Sequence, residues 1–396
     1  MDSFNFGILQ KHYQWPAVQS ILDVLNAHGY HALLAGGCVR DALIGRRPND
    51  LDVATNATPE AIEKLFPKTV AVGKQFGVMR VLIEGADIEV ATFRKDGNYE
   101  DGRRPEYVVY SSAEEDAQRR DFTINALFYD IHSQQVIDYV GGVADLKKRI
   151  LRTVGAPEAR FKEDKLRILR AIRFVSQIGF SLDAETYQQT CLMSYQVTQV
   201  SAERIKEEMQ KLLSGAFRGA GLSLLKSSGL EQVLFSGLKR AEWVPVPERA
   251  PWQLWCLFWL GTSRAQVQKW LQDFRFSSAE KKQILLCFEY LEIASDFLSK
   301  NLGYQLIRYA QAPVRLACEI LVFRGFHLQQ IQNLHKQWLE WGGKLPFPLL
   351  KGEDLEGYYK GADLGKALAI AYEYQIEERY ASKEDIIKFV LSRMLN

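Results

Sequence analysis

The feature that most limits what this chain can fold into is a change of pattern near residue 145. Before it, short apolar runs with turn residues between them alternate with helical stretches. After it, apolar residues recur at helical spacing, as Ile205, Met209, Leu212 and Leu213 do on one face. The order implies an α+β chain: a mixed α/β head followed by an all-helical remainder. At roughly 100–200 residues per domain, 396 residues make two to four domains.

Within the head, the spacing predicts a helix over 18–25, a short strand over 32–35, a helix over 39–44 ended by Gly45, and a strand over 51–54. The runs 78–83 and 88–93 have hairpin spacing about Gly85, and a further strand covers 136–140. In the remainder, Ser201 is placed to cap the helix that carries Ile205, with Glu203 in its first turn. Three prolines in 244–251 read as a linker, since proline breaks a helix interior. Seven of the eight tryptophans lie beyond residue 240, which predicts a separate aromatic-rich core there. Pro346 and Pro348 mark a break before the last helical segment.

Composition narrows the class. A 47% hydrophobic chain has enough apolar material for packed cores, which excludes wholesale disorder. Its formal charge of +2 excludes a polybasic binder but leaves room for a local basic groove. Between 251 and 340, ten Lys and Arg stand against seven Asp and Glu, so the helical remainder is only mildly basic. The five cysteines are scattered with no CxxC pair, and reduced thiols are expected rather than a disulfide framework or zinc site. No signal peptide is expected at the N-terminus, and the most apolar stretch, 252–260, is far short of the ~20 residues of a membrane span. A cytoplasmic protein without a membrane partner is the expectation.

Two constellations in the head carry chemistry. Gly36-Gly37-Cys38-Val39-Arg40-Asp41 lies between a predicted strand and a predicted helix. Paired glycines let backbone approach a ligand closely, the helix start offers N–H groups, and Arg40 adds a forked donor for phosphate. Then come Asp50 and Asp52, which period-two alternation puts on one face of a strand with Leu51 on the other. Adjacent carboxylates repel unless a cation neutralises them, and a hard divalent ion such as Mg2+ takes oxygen ligands of this kind. Glu89, on the predicted hairpin, is a candidate third carboxylate. Either signal alone is more often a tight turn or a solvated acidic turn; their order reverses that weighting.

The stretch LAGGCVRDALIGRRPNDLDVAT at 34–55 closely resembles the signature of class II tRNA nucleotidyltransferases and bacterial poly(A) polymerases. The resemblance continues through EDAQRRDFTINA at 115–126, DYVGG at 138–142, EDKLRILRAIRF at 163–174 and SAERIKEEM at 201–209. It implies a polymerase-β-like nucleotidyltransferase head over 1–145, a helical neck selecting the base over 146–240, a helical body over 241–340 and a tRNA-binding tail over 341–396. The implied reaction is attack of an RNA 3′-hydroxyl on the α-phosphate of a nucleoside triphosphate, with ions held by Asp50 and Asp52.

By the same resemblance, Gly36, Gly37 and Arg40 hold the triphosphate and Arg120 binds nucleotide, while Asp121 is suited to accept from a ribose hydroxyl. Asp164 and Arg167, three apart, present an acceptor beside a donor fork if both lie on one helix. Cytosine and adenine each show an amino donor beside a ring acceptor, which that pair matches and which guanine and uracil oppose. Arg170 and Arg173 count as nucleotide-binding in the family pattern; physically, they could equally clamp RNA or triphosphate, or pair with acids of the neck. The apolar strip of the same helix is expected to be core.

The implied product is CCA on tRNA, from CTP and ATP, with no protein partner required. Partial addition (CC-only or A-only) and poly(A) synthesis are the alternatives within the family. The glycine-rich, charged segment 93–106 resembles the flexible loop of CCA-adding enzymes, and VGKQFGV at 72–78 looks more like the tRNA enzymes. LKGEDLEG at 350–357 and GADLG at 361–365 resemble the tail loosely, with Tyr358 and Tyr359 departing from its glycine-rich spacing. An inactive RNA-binding relative and a small-molecule transferase are opposed by the intact Asp50, Asp52, Asp164 and Arg167 and by the long helical remainder.

Overall fold

A computed structural model describes residues 6–96, 108–239, 249–379 and 381–394. The chain divides into two compact units, 1–236 and 237–396. The proline-rich stretch 244–248 and positions 97–106 of the charged loop lie outside the described residues.

The first unit is built on strands β1 (Ala32–Ala35), β2 (Val53–Thr55), β3 (Thr69–Gly73), β4 (Val78–Ile83), β5 (Ala86–Thr92), β6 (Arg94–Asp96), β7 (Val108–Tyr110), β8 (Leu127–Asp130), β9 (Gln135–Asp138), β10 (Ile150–Leu151) and β11 (Ser181–Leu182). Seven of them form one mixed sheet in the order β3-β4-β5-β2-β1-β8-β9. Strands β6 and β7 make a separate hairpin, and β10 pairs with β11 in parallel. All four residues of β1 are buried because the sheet is covered on both faces. Leu34 packs into a large cluster with Val53, Ile88 and Val90, while Leu33 and Ala35 face a second cluster with Phe93 and Phe128. Period-two alternation thus serves two cores at once.

The expected strands 32–35 and 78–83 match the structure, and the hairpin partner runs Ala86–Thr92. Strand 51–54 is corrected: β2 starts at Val53. The reason is that the Leu51 N–H donates to the side chain of Gln14 at 2.9 Å instead of to a neighbouring strand. The expected cap at Ser201 is also corrected. Ser201 holds the N-cap position of helix Ala202–Leu213, yet its side chain makes no capping hydrogen bond. That helix is held by its buried face of Ile205, Met209, Leu212 and Leu213.

Helix Leu166–Ile178 packs its Ala171, Phe174, Val175 and Ile178 into the larger cluster beneath the sheet. The expectation of an all-helical chain after residue 145 is corrected in this unit: the short strands β10 and β11 follow it, and helix Leu166–Ile178 shares its core with the sheet because its apolar face is buried there. This brings the arginines of the 163–174 block beside the ends of the central strands β1 and β2.

The second unit is all-helical among its described residues. Trp255 and Trp259 are fully buried, with ring contacts to each other and to Phe276, so the expected aromatic core is present. Ser277 and Glu280 form a reciprocal cap on helix Ser278–Glu292. Leu355, Ala367, Ala371, Ile386 and Val390 make a separate cluster toward the C-terminus. All five cysteines are free. Among the described residues no helix is long and apolar enough to cross a membrane.

Candidate active site

Every residue singled out from the sequence, Gly36, Gly37, Arg40, Asp50, Asp52, Glu89, Arg120, Asp121, Asp164, Arg167, Arg170 and Arg173, lines one open cleft of about 820 Å³ in the first unit. The cleft lies where β1 ends and the chain turns into helix Gly37–Leu43.

That turn needs glycine at one position. Gly36 has φ +75°, ψ −125°, and a Cβ there would stand 2.8 Å from Nη1 of Arg120. Arg40 follows on the helix, only 9% exposed. Its Nε donates to Asp41 at 2.9 Å and its Nη1 to Oδ1 of Asn125 at 2.5 Å.

Asp50 and Asp52 approach β2 rather than lie on it, with Leu51 buried between them. The Ala35 N–H donates to the Asp52 carbonyl at 3.0 Å, which fixes the backbone at the end of the β1–β2 ladder. Val53 pairs with Val90 on β5, so Glu89 falls beside Asp52. Burial, then the charges of Glu89 and Asp50, push the Asp52 carboxyl up to about 7. Burial and the charge of Asp50 also raise Glu89. The three carboxylates feel one another, yet among the described residues no group of three or more acidic, His or Cys side chains converges as metal ligands do. The arrangement fits an open cation site of two carboxylates, completed by substrate oxygens and water, as Mg2+ favours.

Opposite stand the guanidinium groups. Asp116, 2% exposed, accepts from Arg119 (Nη2, 2.6 Å) and from Arg120 (Nε, 3.1 Å; Nη2, 2.9 Å). Burial alone would raise the Asp116 carboxyl, but the charges of Arg120 and Arg119 outweigh it and hold it low. Arg120 also donates through Nη1 to the Asn125 carbonyl at 3.1 Å and lies over the Phe128 ring.

Asp121 is more heavily engaged than its expected ribose role implies. Its Oδ1 accepts from the Phe122 N–H (2.8 Å) and Asn125 Nδ2 (3.1 Å), and its Oδ2 from Arg170 Nε (2.9 Å) and Nη2 (2.5 Å). Its lone-pair positions are thereby filled. Burial opposes the charge, but Arg170 and these hydrogen bonds hold the carboxyl far below the usual carboxylate range.

The helical placement of Asp164 beside Arg167 is corrected. Helix Pro157–Glu163 ends one residue earlier, and Asp164 is extended, with φ −139° and ψ 105°. Helix Leu166–Ile178 begins two residues later. Asp164 bridges them, because its Oδ1 accepts the otherwise orphaned Leu166 N–H at 3.0 Å. Its Oδ2 pairs with Arg204 at 2.7 Å. Arg167 is held by Glu163 (2.5 Å) and by the carbonyls of Arg160 and Arg119 (both 3.1 Å). The two side chains share the cleft, each anchored by a different partner. Arg173 pairs with the buried Glu208 at 2.8 Å, and Arg170 reaches the same carboxylate at 3.8 Å. Of the roles open to these arginines, pairing with an acid is the one seen in the geometry: Arg173 with Glu208 of the neck, and Arg170 chiefly with Asp121 of the head. Burial, partly offset by Glu208, lowers Arg173 to about 10.

Sequence reasoning passed over Asp116, Asn125, Arg204 and Glu208 as site residues. Asp116 was findable, since it precedes Arg119 and Arg120 by three and four positions, the spacing of helical neighbours. Asn125, Arg204 and Glu208 lie 85, 40 and 35 residues from Arg40, Asp164 and Arg173, where local spacing is silent.

Comparison with known proteins bears on the same residues. Positions 32–152 match the family described as "Poly A polymerase head domain", and 179–242 match "Probable RNA and SrmB- binding site of polymerase A". A CCA-adding enzyme of Geobacillus thermodenitrificans is 46% identical over 59% of this chain, and the match spans only 58% of that relative's own length. That of Anoxybacillus flavithermus is 39% identical over 70% of this chain and 71% of the relative. That of Lactobacillus helveticus is 32% identical over 93% of this chain and 94% of the relative. The crystal structure of the Bacillus stearothermophilus CCA-adding enzyme in complex with CTP is similar at a TM-score of 0.78 and 29% identity, covering 96% of this chain and 98% of that one. The Thermotoga maritima CCA-adding enzyme complexed with tRNA shares the fold at a TM-score of 0.70 and 18% identity.

Proposed function

Because the chain belongs to the family of CCA-adding enzymes and bacterial poly(A) polymerases, the class II nucleotidyltransferases, we propose that it adds CCA to tRNA 3′ ends from CTP and ATP without a nucleic-acid template. The single observation that carries this reading is one cleft holding the Asp50–Asp52 carboxylates together with Asp164 and Arg167. The first pair suits phosphoryl chemistry and the second suits base recognition.

Asp50 and Asp52, with Glu89 beside them, would hold Mg2+, which would supply charge neutralisation at the α-phosphate and favour an ionised 3′-hydroxyl. Arg40 and Arg120, with Gly36 and Gly37 giving the backbone close access, bind the triphosphate. Two of the five N–H groups of Arg40 make no hydrogen bond among the described residues, counting Asp41 and Asn125 as its partners.

Base choice follows the same accounting. Arg167 spends three N–H groups on Glu163 and two carbonyls, leaving Nε and one Nη2 hydrogen for ring acceptors. Asp164 keeps one lone-pair position on each oxygen for the amino group of cytosine or adenine. Uracil and guanine would bring a carbonyl to the carboxylate and an N–H to the guanidinium, and polar groups left unpaired by the bound base disfavour it strongly. Asp121 and Arg170 hold the neck helix against the head, and Arg173 ties it through Glu208 to helix Ala202–Leu213, so that these two side chains stay aimed. The helical 341–396 segment is the tRNA-binding part in this reading.

The test supplies purified protein with tRNA ending at the discriminator base, at C or at CC, plus labelled CTP and ATP. Stepwise extension to CCA on all three is expected. Extension to CC alone, of the CC-ended tRNA alone, or an untemplated poly(A) ladder would replace the proposal with the corresponding relative activity.

A further inference from the structure

We infer that Asn125 is a positioning residue for the triphosphate, an amide strap that sets the guanidinium plane of Arg40. The inference rests on the cleft being a nucleotide site, and it goes beyond the residues so far given a role there.

Asn125 ends the single 3-10 turn Thr123–Asn125 and is 8% exposed. Each of its polar groups is committed. Oδ1 accepts from Arg40 Nη1 at 2.5 Å, Nδ2 donates to Asp121 Oδ1 at 3.1 Å, and the backbone carbonyl accepts from Arg120 Nη1 at 3.1 Å. The backbone N–H donates to the Phe122 carbonyl at 2.9 Å. One residue thereby touches three cleft groups that come from two separate segments of the chain.

The chemistry calls for an amide at this position. Arg40 has only donors to offer, and Asp121 when ionised has only acceptors. A side chain joining them must accept on one end and donate on the other at short reach, which an uncharged carboxamide does. An aspartate would face Asp121 with like charge, and an aliphatic side chain would leave two buried charged groups short of a partner. The turn itself is rigid: a Cβ on Gly142 would stand 2.3 Å from the Thr123 carbonyl, so the 3-10 turn rests directly on the next helix.

With Asp41 on one side and Asn125 on the other, the Arg40 guanidinium is held in plane. Its remaining N–H groups then belong to the cleft without a search over rotamers. Preorganisation of this kind lowers the cost of binding rather than adding a contact. It acts on the triphosphate, common to all nucleotides, and leaves base choice unchanged.

Binding of ATP and of inorganic tripolyphosphate, each with Mg2+, tests this by calorimetry on the full chain, independently of any turnover. In N125A both ligands are expected to bind about tenfold more weakly, the loss expected for roughly one hydrogen bond to a charged group. Adding N125A to R40A is expected to cost nothing further, because the strap acts through Arg40. Where N125A does not melt cooperatively, N125L, close in shape and without an acceptor for Arg40, enters the same pair of measurements with the same expectation. Unchanged tripolyphosphate binding in the single variant, or losses that multiply in the double variant, overturns the assignment. Absence of CCA addition by the native protein would instead overturn the proposed function and leave this result standing.

Discussion

The carboxylate of Asp121 accepts both Nε and Nη2 of Arg170, at 2.9 and 2.5 Å, tying the end of the head to the helix Leu166–Ile178. Arg170 extends to Glu208, and Glu208 to Arg173, so four charged side chains from three segments form one chain of ion pairs.

Removing Arg170 leaves Asp121 charged, largely buried and unpaired. Arg170→Met is expected to lower stability by ~2–3 kcal/mol, toward the low side of a broken buried pair because about a third of Arg170 is exposed. The native protein carries a pH signature of the same pair. The folded Asp121 carboxyl lies below its unfolded value, so its contribution is present above about pH 4 and lost as pH falls toward the folded value. Thermal melts from pH 7 to pH 3 should show a steeper acid loss in native protein than in Arg170→Met. Parallel curves would show that the pair contributes nothing to stability.

Asp50→Ala or Asp52→Ala is expected to abolish incorporation while tRNA binding by gel shift persists; normal turnover in either would refute the metal assignment. Asp52 supplies a pH test of its own. Its carboxyl is raised to about 7 in the metal-free protein, so a proton competes with the cation below that pH, and Mg2+ affinity should rise as pH goes from 6 to 8. The stability sign is the reverse of that for Asp121. A raised carboxylate stabilises the fold below its unfolded value near 4, and this is lost as pH rises through about 7. Asp52→Asn without metal should therefore gain in Tm over native protein at pH 8 and not at pH 4.

Arg167→Ala removes the donor half of the proposed base reader. Preference for CTP and ATP over UTP and GTP, measured as the ratio of kcat/KM, should fall by a factor on the order of 10² or more, or activity should vanish. A variant that keeps its activity and its nucleotide preference would exclude Arg167 from base choice.

The second unit has its own packing test. A Cβ on Gly303 would stand 2.1 Å from the Glu373 carbonyl, so helices Leu302–Tyr309 and Gly361–Glu377 meet there with no room for a methyl group. Gly303→Ala should push them apart at a cost of ~1–3 kcal/mol. Hydrogen exchange confined to 302–309 and 361–377 would locate the effect, and an unchanged melt would deny the close approach.

Much of the cleft was legible in the sequence because its parts are local. A Gly-Gly turn after a strand, two acids flanking one apolar residue, and arginines at spacings of three all lie within a few residues of one another. All twelve candidates line one cavity; Gly36, Gly37, Arg40, Asp50, Asp52 and Glu89 came from such local pattern, and Arg120, Asp121, Asp164, Arg167, Arg170 and Arg173 through the family resemblance. What stayed hidden were the anchors. Asn125 is 85 residues from Arg40, Arg204 is 40 from Asp164, and Glu208 is 35 from Arg173. Periodicity says which face of an element is apolar, and nothing about which polar group it will meet across a core.

Sequence alone determined the α+β class and the residue types of the candidate site: a strand-rich head, a mostly helical remainder, and carboxylates and arginines in a fixed order. The tertiary structure decided which of those charges are free to meet a ligand. Spacing put Asp164 on a helix with Arg167, but the chain breaks there, since the carboxylate is needed to satisfy the first N–H of the next helix. Spacing left Asp121 open to a ribose, but packing the neck against the head spends its lone pairs on Arg170 and Asn125. A buried charge takes the partner that the folded core brings within reach, and only the packing of distant segments settles which partner that is.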